Sequence, residues 1–482
     1  MSRVHRTGII IPPNSRRVLF RPFQFSQEQR YLKIIARVLS LSEPEIEKQT
    51  AEVRREFDGR HQRLDRYFLR RFDQVRSYVP VDTELSLARR ILIGAYFTME
   101  YSLESAAVFN PSMVPHPDQS DVPEGSLRYI MSLRSVGEGH ISSITFRSGL
   151  IGADGAITLD EDSPYVTSPQ TFPDSSYHKP LFEKKLIEME SLTDFAAEVL
   201  SALDDDFTLE QLKNTLGAMR RMNRGRAADA DRASRDILTL AQANYEILYT
   251  PDTLLSERVI FPYSPTESNG IEDARFVRFT DDGGNVVYYA TYSAYDGKTV
   301  LSQILETTDF LHFRIATLNG PEVQNKGFAL FPRRVNGMYA MISRQDNENI
   351  YIMFSDHAHF WYSKEILLKP TFPWEFVQLG NCGSPIETEA GWLVLSHGVG
   401  PMRKYSIGAF LLDRDDPTKV LGRTATPLLS PDENEREGYV PNVVYSCGAV
   451  LHGDTLVIPY AMSDYASSVA TVPLKDVLEA MA

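Results

Sequence analysis

Residues 267–278 bring together side chains that could do chemistry. Glu272 and Asp273 are adjacent carboxylates, Arg275 follows, and an apolar, strand-like run begins at Phe276. Charged groups beside apolar residues are costly to bury unless they pair or bind a polar ligand. Successive strand side chains point to opposite faces, so we expect Asp273 and Arg275 to share a face that Glu272 does not. The pattern suits a carbohydrate or phosphate site, and a surface ion pair at a strand start is the simpler alternative.

Two more polar segments follow in order. The first begins at Asn325-Lys326-Gly327 and continues, after a turn at Asn336-Gly337, to a strand-like run that ends at Arg344. The second carries His397 within an apolar run and is followed by Tyr405-Ser406-Ile407-Gly408-Ala409.

Taken in this order, the segments resemble glycoside hydrolase family 130, the β-mannoside phosphorylases and their hydrolytic relatives. The resemblance continues through Asp413, Asp416-Pro417 and residues 440–449, and it covers about residues 108–150 and 255–475. It implies a five-bladed β-propeller with the active site in its central channel.

The chemistry of such a site makes the basic residues important. Cleavage with inversion needs an acid to protonate the leaving oxygen, and a hydrolase also needs a carboxylate to activate water. Phosphate is already anionic and needs cationic donors instead. The resemblance implies a phosphate site made of Arg275, Lys326, Arg344 and His397, with Arg403 and Tyr405 as looser members.

Simpler interpretations of these residues stay open. Lys326 could be a solvated strand start, and His397 could be a buried core histidine. Arg344 could pair with Asp346 or Glu348.

The proton donor is harder to assign. The resemblance implies an aspartate in an early segment, but residues 132–144 contain none. Glu138 is the carboxylate there, flanked by glycines that give the backbone freedom to present it. We predict Glu138 and Asp273 as catalytic residues, with His140 as an alternative donor and an exposed turn acid as the simpler interpretation of Glu138.

Sugar binding needs planar polar groups and an apolar platform. The side chains predicted to bind the substrate are Asn110, Arg134, His140, Asn269, Glu272, Tyr292, Tyr445 and Asp464, with Tyr465 as a further platform.

Composition narrows the function classes. The 482 residues carry a net charge of −14, which disfavours nucleic acid or an anionic membrane as the main partner. The two cysteines, Cys382 and Cys447, indicate buried thiols rather than disulfides. No nucleotide-loop or zinc pattern is present, so we expect no metal and no cofactor; inorganic phosphate would be a co-substrate if the protein is a phosphorylase. The absence of a signal-like start or a long apolar run indicates a cytoplasmic protein.

The elements expected to position these residues fall into three regions. Residues 1–107 are predicted as an arm over residues 1–24 and a helical extension, with helices over 26–78 and over 83–107, the latter capped by Asp82 or Thr83. Short strand-like runs with Gly, Asn and Asp turns then predict a mainly β domain over 108–475.

Residues 180–248 interrupt the β pattern and predict a helical hairpin insertion. Its basic turn at 220–226 could bind phosphate, although a solvated helix end is simpler. Residues 476–482 form a tail, and the added helices offer a surface for homo-oligomerisation.

These observations favour an inverting glycoside phosphorylase that acts on short β-linked mannosides and releases mannose 1-phosphate. A β-mannosidase on the same scaffold and a non-catalytic carbohydrate-binding propeller are the alternatives. The sequence leaves the linkage and the acceptor sugar open.

Overall fold

The computed structural model describes residues 4–80, 84–173, 176–222 and 227–481. The first helical stretch contains α1 (Glu28–Leu39), α2 (Glu43–Phe57), α3 (Leu64–Val75) and α4 (Leu87–Tyr96). The second contains α5 (Lys179–Glu188), α6 (Asp194–Ser201), α7 (Leu209–Met222) and α8 (Ala227–Gln242), and α9 (Leu474–Glu479) lies near the C-terminal end.

Five antiparallel meanders make up most of the β-structure in the described ranges. The first meander is β4 (Ala107–Pro115), β5 (Leu127–Val136), β6 (Ser142–Ile151) and β7 (Ile157–Leu159). The second is β13 (Gly270–Thr280), β14 (Val286–Tyr295), β15 (Val300–Thr307) and β16 (His312–Thr317). The third is β17 (Ala329–Leu330), β18 (Tyr339–Ser343), β19 (Ile350–Ser355) and β20 (Glu365–Leu368).

The last two meanders complete the set. The fourth is β21 (Gln378–Asn381), β23 (Gly391–Val399), β24 (Tyr405–Leu412) and β25 (Val420–Arg423), with β22 (Ile386–Thr388) beside β23. The fifth is β26 (Val444–Tyr445), β28 (Thr455–Met462) and β29 (Ala466–Pro473), with β27 (Val450–His452) beside β28 and β1 (His5–Ile11) on the outer edge.

Smaller strands attach to this set. They are β2 (Val18–Pro22) paired with β3 (Thr98–Ser102), β9 (Tyr177–His178) paired with β10 (Asp206–Phe207), β8 (Gln170–Pro173) and β11 (Tyr245–Leu248) beyond β16, and β12 (Val259–Ile260) beside β6.

The meanders contact one another in sequence order. β4 contacts β13, β13 contacts β17, β18 contacts β21, and β24 contacts β26. The fifth meander returns to the first through β28 and β4, and a parallel bridge joins Ser112 to Gly448. Buried apolar residues fill the spaces between neighbours, such as Leu395 against Ile458 between the fourth and fifth meanders. The expected mainly β fold is therefore present.

Two helical predictions and the predicted N-terminal arm need correction. Residues 180–248 contain four helices rather than a hairpin, and they end in β11, whose Tyr245 and Ile247 are buried against β16. The window 83–107 is helical only from Leu87 to Tyr96, because β3 pairs with β2 immediately afterwards. The arm over residues 1–24 forms β1 and β2.

Two predicted features near these helices lie partly outside the described residues. Asp82 and Thr83 are not described, and the α4 N-cap is Ser86, whose hydroxyl accepts from the Arg89 N–H at 3.2 Å. Of the basic turn, residues 223–226 are likewise not described, and Arg220 pairs with Asp231 on the surface.

The cysteine prediction holds, since both thiols are free and buried. None of the helices in the described ranges is long and apolar enough to cross a membrane.

Candidate active site

Two β-bulges bring the first pair of polar residues together. Pairing is interrupted between Phe109 and Ser112 on β4 and between Glu272 and Arg275 on β13. Within the bulges Asn110 has φ 50° and Asp273 has φ 56°, left-handed values that Asn and Asp tolerate better than most residues. The Asn110 Nδ2 amide donates to Asp273 Oδ1 at 2.6 Å.

The bulge on β13 also changes the expected alternation of side chains. Glu272 and Asp273, predicted on opposite faces, both reach Arg134: the guanidinium donates to Glu272 Oε1 at 2.7 Å and lies 3.5 Å from Asp273 Oδ1. Lys326 Nζ is 3.5 Å from Glu272 Oε2. One ionic network therefore joins β5, β13 and the segment before β17.

Arg275 is held by three parts of the chain. Its guanidinium donates to the Cys382 carbonyl at 3.0 Å, to the Asp273 carbonyl at 3.0 Å and to the Tyr445 hydroxyl at 2.9 Å. The side chain is only 2% exposed. Arg275 thus ties the second, fourth and fifth meanders together at the cluster.

Two glycines let Arg344 and His397 approach each other. A Cβ on Gly327 would lie 2.5 Å from Arg344 Cγ, and a Cβ on Gly380 would lie 2.4 Å from His397 Cε1 and 2.6 Å from Arg344 Cδ. Real Cβ atoms essentially never come so close to other heavy atoms, so both positions need glycine. Asn347 Oδ1 accepts a hydrogen bond from Arg344 at 3.2 Å, and the alternative pairing with Asp346 or Glu348 is absent from the described contacts.

Aromatic rings contact His397 within the cluster. The His397 ring stacks on Tyr405 at 5.9 Å and meets the edge of Tyr445 at 4.9 Å. Arg403 lies over the Tyr405 ring at 5.5 Å and is exposed, which places it at the rim.

The cluster moves the pKa values of its two aspartates in opposite directions. Burial by itself raises the pKa of Asp273, but Arg134, Lys326 and Arg275 outweigh burial and hold it well below its usual range. Burial and the neighbouring Asp273 carboxylate raise the pKa of Asp464 to about 6. Paired carboxylates with separated pKa values are typical of acid–base sites.

His397 stays neutral in this surrounding. Burial, followed by Arg344 and Arg275, lowers its pKa well below the usual value. A neutral ring can both donate and accept a hydrogen bond.

Several buried polar atoms in the cluster lack a hydrogen-bond partner. They are Asn110 Oδ1, Arg134 Nε, Arg344 Nε, both ring nitrogens of His397 and both amide atoms of Asn381. Such atoms carry a desolvation cost unless a ligand or water satisfies them. The arrangement therefore suits a polar, partly anionic ligand.

The structure brings most of the predicted site residues into this cluster. They are Asn110, Arg134, Glu272, Asp273, Arg275, Lys326, Arg344, His397, Tyr405, Tyr445 and Asp464, with Arg403 at the rim.

Other predicted residues lie apart from it. The Tyr292 prediction is wrong, because this residue is 2% exposed within the core and its hydroxyl donates to the buried Glu267 at 2.7 Å. Glu138 and His140 are exposed on a short turn, and their described contacts are with Tyr101 and Tyr439 rather than with the cluster. Asn269 is exposed beside Gly297, and Tyr465 is 48% exposed.

Sequence reasoning missed Gly380 and Asn381. Asn381 is fully buried on β21, whose neighbouring residue Gly380 pairs with His397. The available signal was an amide between glycines in an otherwise apolar run, Leu379-Gly380-Asn381-Cys382-Gly383.

The amino-acid sequence matches a known protein family. Residues 237–482, about half of the chain, match the Glyco_hydro_130 model, described as beta-1,4-mannooligosaccharide phosphorylase. A 1,2-beta-oligomannan phosphorylase of Thermoanaerobacter sp. (strain X514) is 35% identical over 231 residues, which cover 46% of this chain and 75% of that protein. A Beta-1,2-mannobiose phosphorylase of Listeria innocua serovar 6a is 32% identical over 240 residues, covering 47% and 64%.

Among solved structures, the Listeria innocua Beta-1,2-Mannobiose phosphorylase in complex with beta-1,2-mannobiose aligns with a TM-score of 0.47 and 22% identity. That alignment covers 79% of this chain and 93% of the other. From the match of the family model and the similarity to the Thermoanaerobacter protein, the chain belongs to glycoside hydrolase family 130.

Proposed function

We propose that this protein is an inverting glycoside phosphorylase that acts on short β-linked mannosides and releases mannose 1-phosphate. The observation that carries the proposal is a group of four cations: Arg134, Arg275 and Lys326 act on Asp273, and Arg344 acts on His397. These four cations outnumber Glu272 and Asp273, the two carboxylates that pair with Arg134. The activities named for the similar Thermoanaerobacter and Listeria proteins support the same class.

Phosphate is held, in this proposal, by the groups with donors to spare. Arg344 Nε and the His397 ring nitrogens have no protein partner, and Lys326 makes one long contact to Glu272. Arg275 mainly positions Tyr445 and the Asp273 backbone, although two of its N–H groups remain for phosphate. Arg134, Asn110 and Asp464 remain for the mannosyl ring.

The reaction then proceeds by a single displacement. A phosphate oxygen forms a bond to the anomeric carbon as the bond from that carbon to the leaving oxygen breaks. The entering dihydrogen phosphate supplies the proton, which Asp273 takes up and passes to the leaving oxygen, directly or through a sugar hydroxyl, so that Asp273 is left as the carboxylate it was at the start.

Bound phosphate also prepares the acid. Asp273 has a low pKa because three cations face it, and a phosphate anion beside them would offset their field and raise that pKa. We infer that Asp273 becomes a competent donor only in the complex with phosphate.

A β-mannosidase is the second candidate, and Asp464 is the observation that favours it. A hydrolase needs a second carboxylate to activate water, and Asp464 is a carboxylate near Asp273 with a pKa of about 6.

Product analysis separates the two functions. The protein is incubated with mannobiose, with and without inorganic phosphate, and mannose 1-phosphate and free mannose are quantified. We expect mannose 1-phosphate that depends on phosphate. Release of free mannose at the same rate in both reactions would establish the hydrolase, and no product in either would contradict both. Independence of metals and cofactors stays a prediction.

We also propose that residues 108–475 form a five-bladed β-propeller, with 180–248 as an insertion, 1–107 as an extension and 476–482 as a tail. The cyclic order of contacts among the five meanders supports this arrangement. The residues of the cluster come from all five meanders, as expected for a central channel.

A further inference from the structure

A groove on the helical extension, lined by none of the residues of the candidate active site, concentrates arginines. It consists of two adjoining cavities of about 150 and 250 Å³ that share Tyr67 and Arg70 among their lining residues. Its walls are α3 on one side and residues 166–171 on the other, with β2 between them. Together the cavities are at the small end of the size range for small-molecule sites.

The spacing of residues on α3 creates the basic wall. Phe68, Phe72 and Val75 are buried in the extension, so the opposite face of the helix is free to line the groove. That face carries Arg66 and Arg70, four residues apart and therefore neighbours on the helix surface.

None of the described residues that line the two cavities is a carboxylate. The larger one contains Arg21, Arg70 and Arg71, and the smaller one adds His61, Arg63 and Arg66. Yet the chain has 64 acidic and 50 basic residues, so a groove without an acid runs against its overall charge. Arg63 pairs with Asp252 and His61 with Glu100. The remaining arginines of the groove are Arg21, Arg66, Arg70 and Arg71.

Those arginines have no anionic partner among the described residues. The side chains of Arg66 and Arg70 make no hydrogen bond or ion pair within the described ranges. Arg71 is buried and donates to the Phe97 carbonyl and to the Gln74 side chain, both neutral. Arg21 lies over the Phe261 ring at 4.4 Å.

Burial makes this arrangement costly for a protein without an anion. It lowers the pKa values of Arg21 and Arg71, which means that each cation loses solvation without a compensating charge. Guanidinium groups that line one cavity are suited to phosphate, which they bind through paired charge-assisted hydrogen bonds.

The other lining groups suit the organic part of a ligand. Tyr67 stacks on Phe20 at 4.4 Å, and Tyr263 is 55% exposed, so ring faces border the basic wall. Ser168 and Thr171 add hydroxyl groups. A site with aromatic surfaces, hydroxyl groups and a few cations matches a small phosphate ester better than inorganic phosphate alone.

We propose that the groove between α3 and residues 166–171 is a second ligand site, which binds a small organic phosphate through Arg21, Arg70 and Arg71. This site is separate from the proposed reaction, and no residue lines both the groove and the cluster around Asp273.

Calorimetric titration of the full chain tests the site with three probes: inorganic phosphate, pyrophosphate and glucose 6-phosphate. We expect glucose 6-phosphate to bind and to bind more tightly than inorganic phosphate. Arg70→Gln and Arg21→Gln should each weaken that binding by about tenfold or more. Arg55→Gln, which removes a 75% exposed arginine of α2, is the matched control and should have no effect.

Three controls keep the result interpretable. Lys326→Ala disturbs the candidate active site, so glucose 6-phosphate binding that persists in this variant belongs to the groove. The Arg70 side chain is exposed and makes no hydrogen bond to any described residue, so Arg70→Gln should fold normally, which thermal unfolding without ligand checks. Phosphorolysis by Arg70→Gln should match the wild type.

Absence of glucose 6-phosphate binding, or equal affinity in Arg70→Gln and the wild type, would overturn the proposal. Equal affinity for inorganic phosphate and glucose 6-phosphate in Lys326→Ala, in which the candidate active site is disturbed, would overturn the assignment to an organic phosphate.

Discussion

At the scale of single residues, Asp273 and Asp464 show how position separates two chemically identical groups. Asp273 faces Arg134, Lys326 and Arg275, whereas Asp464 faces the negative charge of Asp273 and has lost much of its solvation. Asp273 is therefore ionised across the physiological range in the unliganded protein, and Asp464 changes its protonation near pH 6.

Asp273→Asn should lower turnover on a natural disaccharide by about 10²–10⁴-fold, because this change removes the ionisable proton and keeps the size. A nitrophenyl mannoside needs little protonation of its leaving group and should recover much of the loss. Glu138→Gln is the matched control and should stay near wild-type activity, since Glu138 is exposed and apart from the cluster. A large loss in Glu138→Gln with normal activity in Asp273→Asn would reverse the two assignments.

Asp464→Asn should change how stability depends on pH. The pKa of Asp464 is raised in the folded state, from 3.8 to about 6, so its ionisation destabilises the fold as pH rises through this interval. Below about pH 4 the variant and the wild type should be equally stable. Above about pH 6 the variant should be more stable, on the order of 2–3 kcal/mol. Thermal unfolding at pH 4, 6 and 8 measures this, and a constant difference at all three would contradict the buried-carboxylate explanation.

Lys326→Ala should raise the KM for phosphate far more than the KM for the mannoside. A charge-assisted hydrogen bond is worth about 1.5–3 kcal/mol, so the expected change is about 10- to 100-fold. Initial rates with each substrate varied in turn supply the measurement. Equal increases in both KM values would indicate a general structural role for Lys326.

At the scale of elements, the candidate active site depends on a small residue of β21, Gly380. Gly380→Ala would place a Cβ against His397 and Arg344, so we expect turnover to fall at least tenfold while much of the fold is retained. Gly217→Ala, in α7, is the control: its Cβ meets nothing closer than Arg221 at 3.8 Å, and alanine favours helices by about 1 kcal/mol. Activity and thermal unfolding of both variants decide between these expectations, and a fully active Gly380→Ala would disprove the close fit.

The sequence predicted the strands better than the positions of side chains on them. Alternation and turn residues located β18 at Tyr339–Ser343 and the turn at Asn336-Gly337. Alternation failed at Glu272 and Asp273, because a bulge depends on the neighbouring strand and leaves no period-two signal. Tyr292 was misplaced for a related reason: an aromatic residue on a strand that is buried on both faces gives no indication of which face borders a cavity.

The helical regions failed where tertiary contacts override local patterns. Tyr245 and Ile247 continue a helical pattern, yet they pair with β16 because that edge offers backbone partners. The order of the motifs predicted which polar residues lie together in the cluster. The roles of Gly380 and Asn381 could be identified only from the residues that surround them in the structure.

At the scale of the whole molecule, the matched family region is only part of the unit that builds the site. Residues 237–482 match the family model, but Asn110 and Arg134 come from the first meander and β1 lies on the edge of the fifth. A fragment of residues 237–482 should therefore be unfolded or aggregated.

Deletion of residues 1–11 tests the contribution of β1 alone. The deletion leaves the β29 edge without its partner and removes the contact between Arg6 and Glu435, at 2.8 Å. We expect a lower unfolding temperature, and Arg6→Gln should reproduce only a small part of the change. An unfolding temperature equal to that of the full chain would show that β1 is dispensable.

The pairing of β1 with β29 also sets the timing of assembly during synthesis. The partners of residues 5–11, at 467–471, are made more than 450 residues after them. At about 5–20 residues per second, the first strand waits for roughly 25–90 s before it can pair. During that time its edge and the exposed side chain of Ile10 are available to other chains, so premature release or crowding of nascent chains should favour misassembly at this sheet.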